Sequence, residues 1–567
     1  MYNLNYLRFM LLCTAFFFLF SATVEAKPQK AYVYQLDLSA NVVDFKPKQR
    51  KSLFNITLFE KKKTIGLNEI LRNIRYVASN DKFVGIVLKN GSLGAGMASM
   101  KEIRDALQAF RQTGKFVYAY ADVFLQSNYY LASVADKVML NPFGAVDLKG
   151  LSAQKMFYKN TLDKLGIDVQ VVRVGDYKSA VEPFSATKMS DANREQMTVA
   201  LQSLWNTMLT DISAQRKVSA DLLNKTADNF GGLNKAETMK DLKLVDTLLY
   251  TNRADTLIDK IAPEKYSIRR IGHEQLSKKT LRSKNNPNRI AVIYLQGSIA
   301  ASTKSIHAKA LAGVCERLKK DKSVKAVVVR VNSPGGDAFE SEKIHHIFSE
   351  LKAVKPVVVS MGDYAASGGY YISAMANKII AEPTTITGSI GIFGMIPNMN
   401  KLYEKAGLTV DVVKTNEMGD SYGVTRAMSD VEREKMQSHL NYLYEVFVER
   451  CAKGRNKTID EVKAIAGGRV WTGADALKIG LVDKLGGMDV ALSEAAQLAG
   501  ISSYKTIQYK PQSTGGGISL GNALQDYVEN SIEASNWSEL LKLFITDREL
   551  SNTAHIQALM PEVFVVD

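Results

Sequence analysis

Residues 325–339 read KAVVVRVNSPGGDAF, and 241 positions earlier residues 84–98 read VGIVLKNGSLGAGMA. Laid over one another, Ser92 meets Ser333 and Gly94 meets Gly335. The same offset lays ADVFLQSNYYLASVADKVMLNP (121–142) over GDYAASGGYYISAMANKIIAEP (362–383), where the Asp, the Tyr-Tyr pair, the following Ala and Lys, and the Pro coincide. It also lays VQVVRVGDYK (169–178) over VDVVKTNEMG (410–419). LKLVD (242–246) and IGLVD (479–483) close each copy at an offset of 237. A shared offset held over so long a stretch marks a tandem duplication.

The repeated unit alternates buried-strand and helix patterns. AVVVRV (326–331) and PVVVSM (356–361) are continuous apolar runs, as in strands covered on both faces. Between them Ile344, Ile347, Phe348 and Leu351 line one face of a helix. Strand, turn, helix and strand in this order predict an α/β fold made twice. The reading divides the chain into an export segment (1–26), an N-terminal copy (27–277), a basic linker (278–289), a C-terminal copy (290–512) and a tail (513–567). The tail opens on the glycine-rich STGGGISLG (513–521), and nothing in its composition assigns it a role.

The N-terminus has Arg8, an apolar run from Phe9 to Phe20 and small residues ending at Ala26. This is the pattern of an export signal. Cleavage after Ala26 and retention as a membrane anchor both fit it, and no later apolar run is long enough to span a membrane. The formal net charge of +15 is spread along the chain, without the basic helix or aromatic-basic interleaving of a nucleic-acid surface. Attraction to anionic lipid suits such a charge better. Cys315 and Cys451 make no disulfide framework, and no CxxC or HExxH occurs among the scattered histidines. The adjacent His345 and His346 suit opposite sides of a helix better than one metal.

Ser367, in AASGGYY (365–371), precedes a helical run, where a serine is ordinarily a cap. Gly335-Gly336, in VNSPGGD (331–337), is ordinarily a tight turn. Both motifs follow buried strands, which puts them at the same end of a sheet. There the glycine amides of Gly335 and Gly336, with that of Gly368 beside the serine, are candidate donors to an oxyanion. A serine nucleophile needs a base, and no histidine has a suitable context. A lysine serves when burial lowers its pKa. The repeat singles one out: Lys178 of the first copy lies opposite Gly419, and Ser367 of the second lies opposite Gln126. Each copy keeps one half of a Ser-Lys pair.

The motifs RVGDYKSAVEPF, VNSPGGD, MGDYAASGGYY, TGSIGIFG and GRVWTGADALKIGLVD together resemble the long form of the bacterial signal peptide peptidase (protease IV) family, over residues 70–495. The resemblance implies two tandem units similar to the Clp protease subunit and to crotonases (a ββα superhelix), and a serine endopeptidase with no metal and no cofactor. It implies Ser367 as nucleophile, Lys178 as general base and Ser389 as the residue that holds the amine; Ser389 lies opposite Leu148 in the other copy. It further implies peptide substrates, chiefly signal-peptide remnants, and membrane association at the periplasmic face of the inner membrane. A bowl-shaped homotetramer is implied too, with no nucleic-acid partner. The rival readings are a crotonase-like acyl-CoA enzyme, which the export signal and the Ser/Lys split argue against, and an inactive envelope scaffold.

Overall fold

The structure is a computed structural model and describes residues 29–46, 63–89, 91, 93–260, 266–281, 286–511 and 556–559. The export segment (1–26), Ser92 and most of the tail therefore lie outside the described residues. Among the described residues, no helix is long and apolar enough to cross a membrane.

Each copy builds its own sheet. In the first, six strands run in the order Thr247–Leu248, Lys137–Asp147, Phe116–Leu125, Phe83–Lys89, Gln29–Asp37, Tyr266–Gly272, all parallel. The chain then passes through helix His273–Thr280 into an eight-stranded sheet centred on Arg289–Gln296, Val324–Ser333 and Val357–Ala366, also parallel. Among the described residues its one antiparallel pairing joins Ile386–Gly388 to Val470–Thr472.

The apolar run 326–331 explains how the copies are layered. Alternate residues of a strand face opposite ways. Ala326 and Val328 join a core shared with the first copy. Val327, Val329 and Val331 join a second core with Leu311, Ile344, Phe348 and Leu351, beneath helices Ala308–Lys320 and Ala338–Lys352. The second sheet is thus buried on one face by these two helices and on the other by its own last helix, Met488–Leu498, together with the first copy.

Polar contacts pin that seam. Arg330, in the middle of its strand, donates to Asp44 (2.7 Å) and Glu102 (2.9 Å) of the first copy, and all three are buried. Ser99 donates to Asp363 through its amide and its hydroxyl, both at 2.8 Å. A ladder also crosses the seam: strand Asp168–Val174 of the first copy pairs antiparallel with Ile392–Asn398 of the second.

The duplication is visible in matched helices. Asp191–Arg216 and Asp430–Arg455 are both 26 residues long. Each starts on a serine cap (Ser190, Ser429) and ends on a left-handed residue (Lys217, Asn456). One part of the sequence repeat does not repeat in structure. Residues 169–174 form a strand, whereas their counterparts at 410–415 are exposed and belong to no sheet among the described residues. The first segment has a partner strand in the other copy, and among the described residues the second has none.

Cys315 and Cys451 are separate buried thiols. His345 packs edge-on against Tyr371, and burial lowers its pKa to about 4, while His346 is exposed on the same helix.

Candidate active site

Strand Val357–Ala366 runs into helix Gly368–Ser373 through a single residue, Ser367. Its backbone sits at φ 54°, ψ −117°, a conformation that costs a non-glycine residue about 1–3 kcal/mol. Two hydrogen bonds hold it there: the Ser367 amide donates to Gly388 O (2.8 Å), and the Tyr371 amide donates to Ser367 O (2.8 Å). The strain turns the hydroxyl out of both regular elements. Ser389, which follows Gly388 on the neighbouring strand, also has a positive φ of 50°, and its amide donates to Arg469 O at 2.7 Å.

Lys178 arrives from the other copy, four residues past strand Asp168–Val174. The ladder to Ile392–Asn398 delivers it to the seam. Glycines let it through: Gly468 has φ 83°, and a β-carbon there would lie 2.6 Å from the Lys178 nitrogen of the main chain. Lys178 is fully buried, and desolvation holds its amine well below the ordinary lysine pKa.

The amine has three neighbours: Ser367 Oγ at 2.7 Å, Ser389 O at 3.0 Å and Ser389 Oγ at 3.0 Å. A neutral amine has two N–H donors and one lone pair. Both oxygens of Ser389 accept the two N–H bonds, which leaves the lone pair to accept the Ser367 hydroxyl. The three contacts fit the neutral form, which burial favours and which can take a proton from a serine.

The glycines complete the picture. Ile299 N–H donates to Gly335 O (2.9 Å) and Asp337 N–H donates to Ile299 O (2.8 Å). That fixes one edge of Gly335–Asp337 and turns the Gly336 amide to the opposite edge. Gly336 has φ 153° and its α-carbon faces the Ile299 backbone, leaving no room for a side chain. A β-carbon on Gly368 would lie 3.2 Å from Gly336 N, so these two backbones abut beside Ser367. The Gly335 amide donates to Ser333 Oγ (3.2 Å) and is engaged. Of the three glycines expected to donate to an oxyanion, Gly335 thus has its amide engaged, while the backbones of Gly336 and Gly368 lie against each other.

A further element was not legible in the sequence. Strand Ile556–Leu559, from the tail, lies between Gly335–Asp337 and Ile392–Asn398 and runs antiparallel to both. Ala558 is opposite Gly336, and Gln557 is opposite Asp337 and Phe393. The gap beside Ser367 is thus one strand wide, and the tail strand fills it by backbone pairing. The glycine cradle was likewise missed, although Gly468 opens the quoted GRVWTG motif.

The other copy shows the same corner without chemistry. Gln126 starts helix Gln126–Ala132 where Ser367 precedes its own. Its Oε1 accepts from the amides of Lys149 and Gly150 (both 2.9 Å) and its Nε2 donates to Gly150 O (2.9 Å), while Leu148 is buried nearby. Among the described residues, no group of three or more His, Cys, Asp or Glu side chains is arranged to hold a metal ion.

Comparison with known proteins gives the family. The profile of peptidase family S49 matches residues 109–263 and again 349–502. Protease 4 of Salmonella typhi is 38% identical over 464 residues, covering 79% of this chain and 74% of that protein. A putative signal peptide peptidase SppA of Enterococcus faecium is 34% identical over 231 residues, 40% of this chain and 67% of that one. Among solved structures, a ClpP1 mutant from Listeria monocytogenes is 14% identical with a TM-score of 0.25, covering 35% of this chain and 92% of that one.

Proposed function

The chain belongs to peptidase family S49 and is a serine-type peptidase, and from that premise we propose that it cuts extended peptides with a Ser-Lys dyad assembled from its two copies. The observation that carries this is the 2.7 Å contact between Lys178 Nζ and Ser367 Oγ at a buried seam.

In this reading a peptide pairs as a strand between Gly335–Asp337 and Ile392–Asn398. Lys178 takes the hydroxyl proton as Ser367 Oγ attacks the scissile carbonyl. The amides of Gly336 and Gly368 donate to the oxyanion. Collapse breaks the C–N bond, the Lys178 ammonium returns its proton to the leaving amine, and an acyl ester remains on Ser367. Lys178, neutral again, activates a water that hydrolyses the ester. Ser389 acts as a positioning residue, aiming the amine through its two oxygens.

The substrates we propose are apolar peptides, such as signal-peptide remnants, at the outer face of the inner membrane. The export signal, the spread positive charge and the name of the Enterococcus relative support this reading. A bowl-shaped homotetramer would admit unfolded chains and exclude folded ones. The test is hydrolysis of a fluorogenic peptide carrying an apolar signal-peptide core by the full chain. Ser367→Ala and Lys178→Ala are each expected to abolish turnover, and the double variant to be no worse, because the pair acts as a unit. Substantial turnover by either single variant overturns the proposal.

A further inference from the structure

Strand Gly335–Asp337 has the tail strand on one edge and Ile299 on the other. Ile299 opens a hairpin that closes at Ile306. There the Ile306 amide donates to Ser298 O (3.0 Å) and the Ala300 amide donates to Ile306 O (3.1 Å). Beyond this hairpin, between the start of helix Ala308–Lys320 and helix Ala338–Lys352, lies a cleft of about 620 Å³. Neither Ser367, Lys178 nor Ser389 lines it.

His307 lines this cleft and caps helix Ala308–Lys320. It is only 7% exposed. Its Nδ1 accepts the Ala310 amide (3.4 Å), which places the ring proton on Nε2. That Nε2–H is buried and has no hydrogen-bond partner among the described residues. Buried donors in folded proteins are ordinarily paired, so an orphan beside a cleft points to a missing acceptor.

Charge points the same way. Glu340, buried on the opposite helix, is already answered: its Oε1 accepts the Ala308 amide (2.6 Å), and Lys343 Nζ lies 2.5 Å from its Oε2. Lys309 is exposed, and among the described residues no carboxylate pairs with it. Of these three charged side chains two are cations and one an anion, which leaves the cleft positive. Much of the remaining wall is apolar, from Ala308, Ala312 and Ile347. An N–H donor beside an ammonium, on apolar walls, suits a carboxylate carried on an apolar stem.

We propose that this cleft binds the C-terminal carboxylate of an apolar peptide, the group that the peptidase reaction proposed above creates at each cut. His307 Nε2–H and the Lys309 ammonium hold the carboxylate, and the terminal apolar side chain packs on Ala312 and Ile347. The chain thus keeps hold of a product at a place separate from Ser367. The bound end also touches the hairpin whose Ile299 bonds to both Gly335 and Asp337, so an occupied cleft stiffens the strand that carries Gly336. The source of the ligand rests on the peptidase reading; the geometry of the cleft does not.

The test is calorimetric titration of the full-length Ser367→Ala protein with N-acetyl-alanyl-leucyl-leucine, beside the same peptide ending in an amide. The acid is expected to bind at least about tenfold tighter than the amide, as a charge-assisted hydrogen bond provides. His307→Asn keeps a capping side chain and removes the Nε2–H. Lys309→Gln removes the charge from an exposed position, where folding is unaffected. Each is expected to erase the preference for the acid and to leave the amide's affinity unchanged. Equal affinity for acid and amide, or a preference that survives both variants, overturns the site. Dodecanoate is the second arm: if it binds tighter than the peptide acid and is lost in the same variants, the peptide is overturned as occupant. Only binding is read, so the two proposals fail separately: the dyad by turnover in Ser367→Ala or Lys178→Ala, the cleft by an absent preference for the acid.

Discussion

Replacing Ser389 separates aiming the base from being the base. Lys178 Nζ has Ser389 Oγ and Ser389 O at the same distance, 3.0 Å. Removing the hydroxyl deletes one acceptor and leaves the carbonyl. A hydrogen bond of this kind has a net value of about 0.5–1.5 kcal/mol, and at about 1.36 kcal/mol per tenfold the loss in kcat/KM is about 2- to 13-fold. Two variants guard against a folding artefact, because Ser389 sits at φ 50°. Ser389→Ala keeps the left-handed strain and Ser389→Gly relieves it, so the glycine variant unfolds at the higher temperature of the two. Their rates are expected to match. The hydroxyl also stabilises the charged amine, since an acceptor favours the ammonium form. Removing it lowers the amine pKa further and moves the acid limb of the pH–rate profile to lower pH, a shift that a merely structural role would not cause. The assay is the full pH profile of peptide hydrolysis for wild type and both variants. Activity within twofold of wild type with an unmoved limb, or loss as complete as in Ser367→Ala, refutes the reasoning.

Three other perturbations have defined outcomes. Burial depresses the Lys178 amine, so between its folded and unfolded pKa values the unfolded chain binds more protons and stability rises with pH toward the ordinary lysine range; Lys178→Met should flatten that rise and stabilise the fold at neutral pH, as read from denaturant midpoints at about pH 7 and about pH 9. Arg330→Met leaves Asp44 and Glu102 buried without their cation and should cost about 3–5 kcal/mol, measured by chemical unfolding. Deleting residues 512–567 removes the strand Ile556–Leu559 that lies beside Gly335–Asp337 and should lower KM for an added peptide while leaving kcat unchanged, by steady-state kinetics.

Much of this architecture is legible in the sequence because it depends on local patterns. The apolar runs at 326–331 and 356–361 are strands covered on both faces, and the sheet they form is the second copy's centre. The reciprocal split of serine and lysine between copies pointed to Ser367 and Lys178, which the fold brings to 2.7 Å across 189 residues of sequence. What stayed hidden depends on long-range closeness. The main chain of Lys178 fits only because Gly468, 290 positions away (468 − 178), leaves a gap, and no periodicity records such a pair. The buried Arg330 looks like any strand cation until Asp44 and Glu102 meet it from the first copy. The tail strand pairs with two others far away in sequence, and its four residues carry no pattern of their own. Residues 410–415 match a strand in sequence and are not one here, since a ladder needs a partner as well as a propensity.

The central claim is that a buried neutral lysine from one copy activates a serine from the other. Labelling with a fluorophosphonate tests it most directly, because the probe reports nucleophilicity at one oxygen and needs no peptide recognition. On the full-length protein, mass spectrometry should find the phosphonyl group on Ser367 alone. Its rate should climb with pH as the Lys178 amine loses its proton, and Lys178→Ala, still folded, should take up no label. Label on another residue, or a Lys178→Ala protein modified at Ser367 as fast as wild type, would contradict the account.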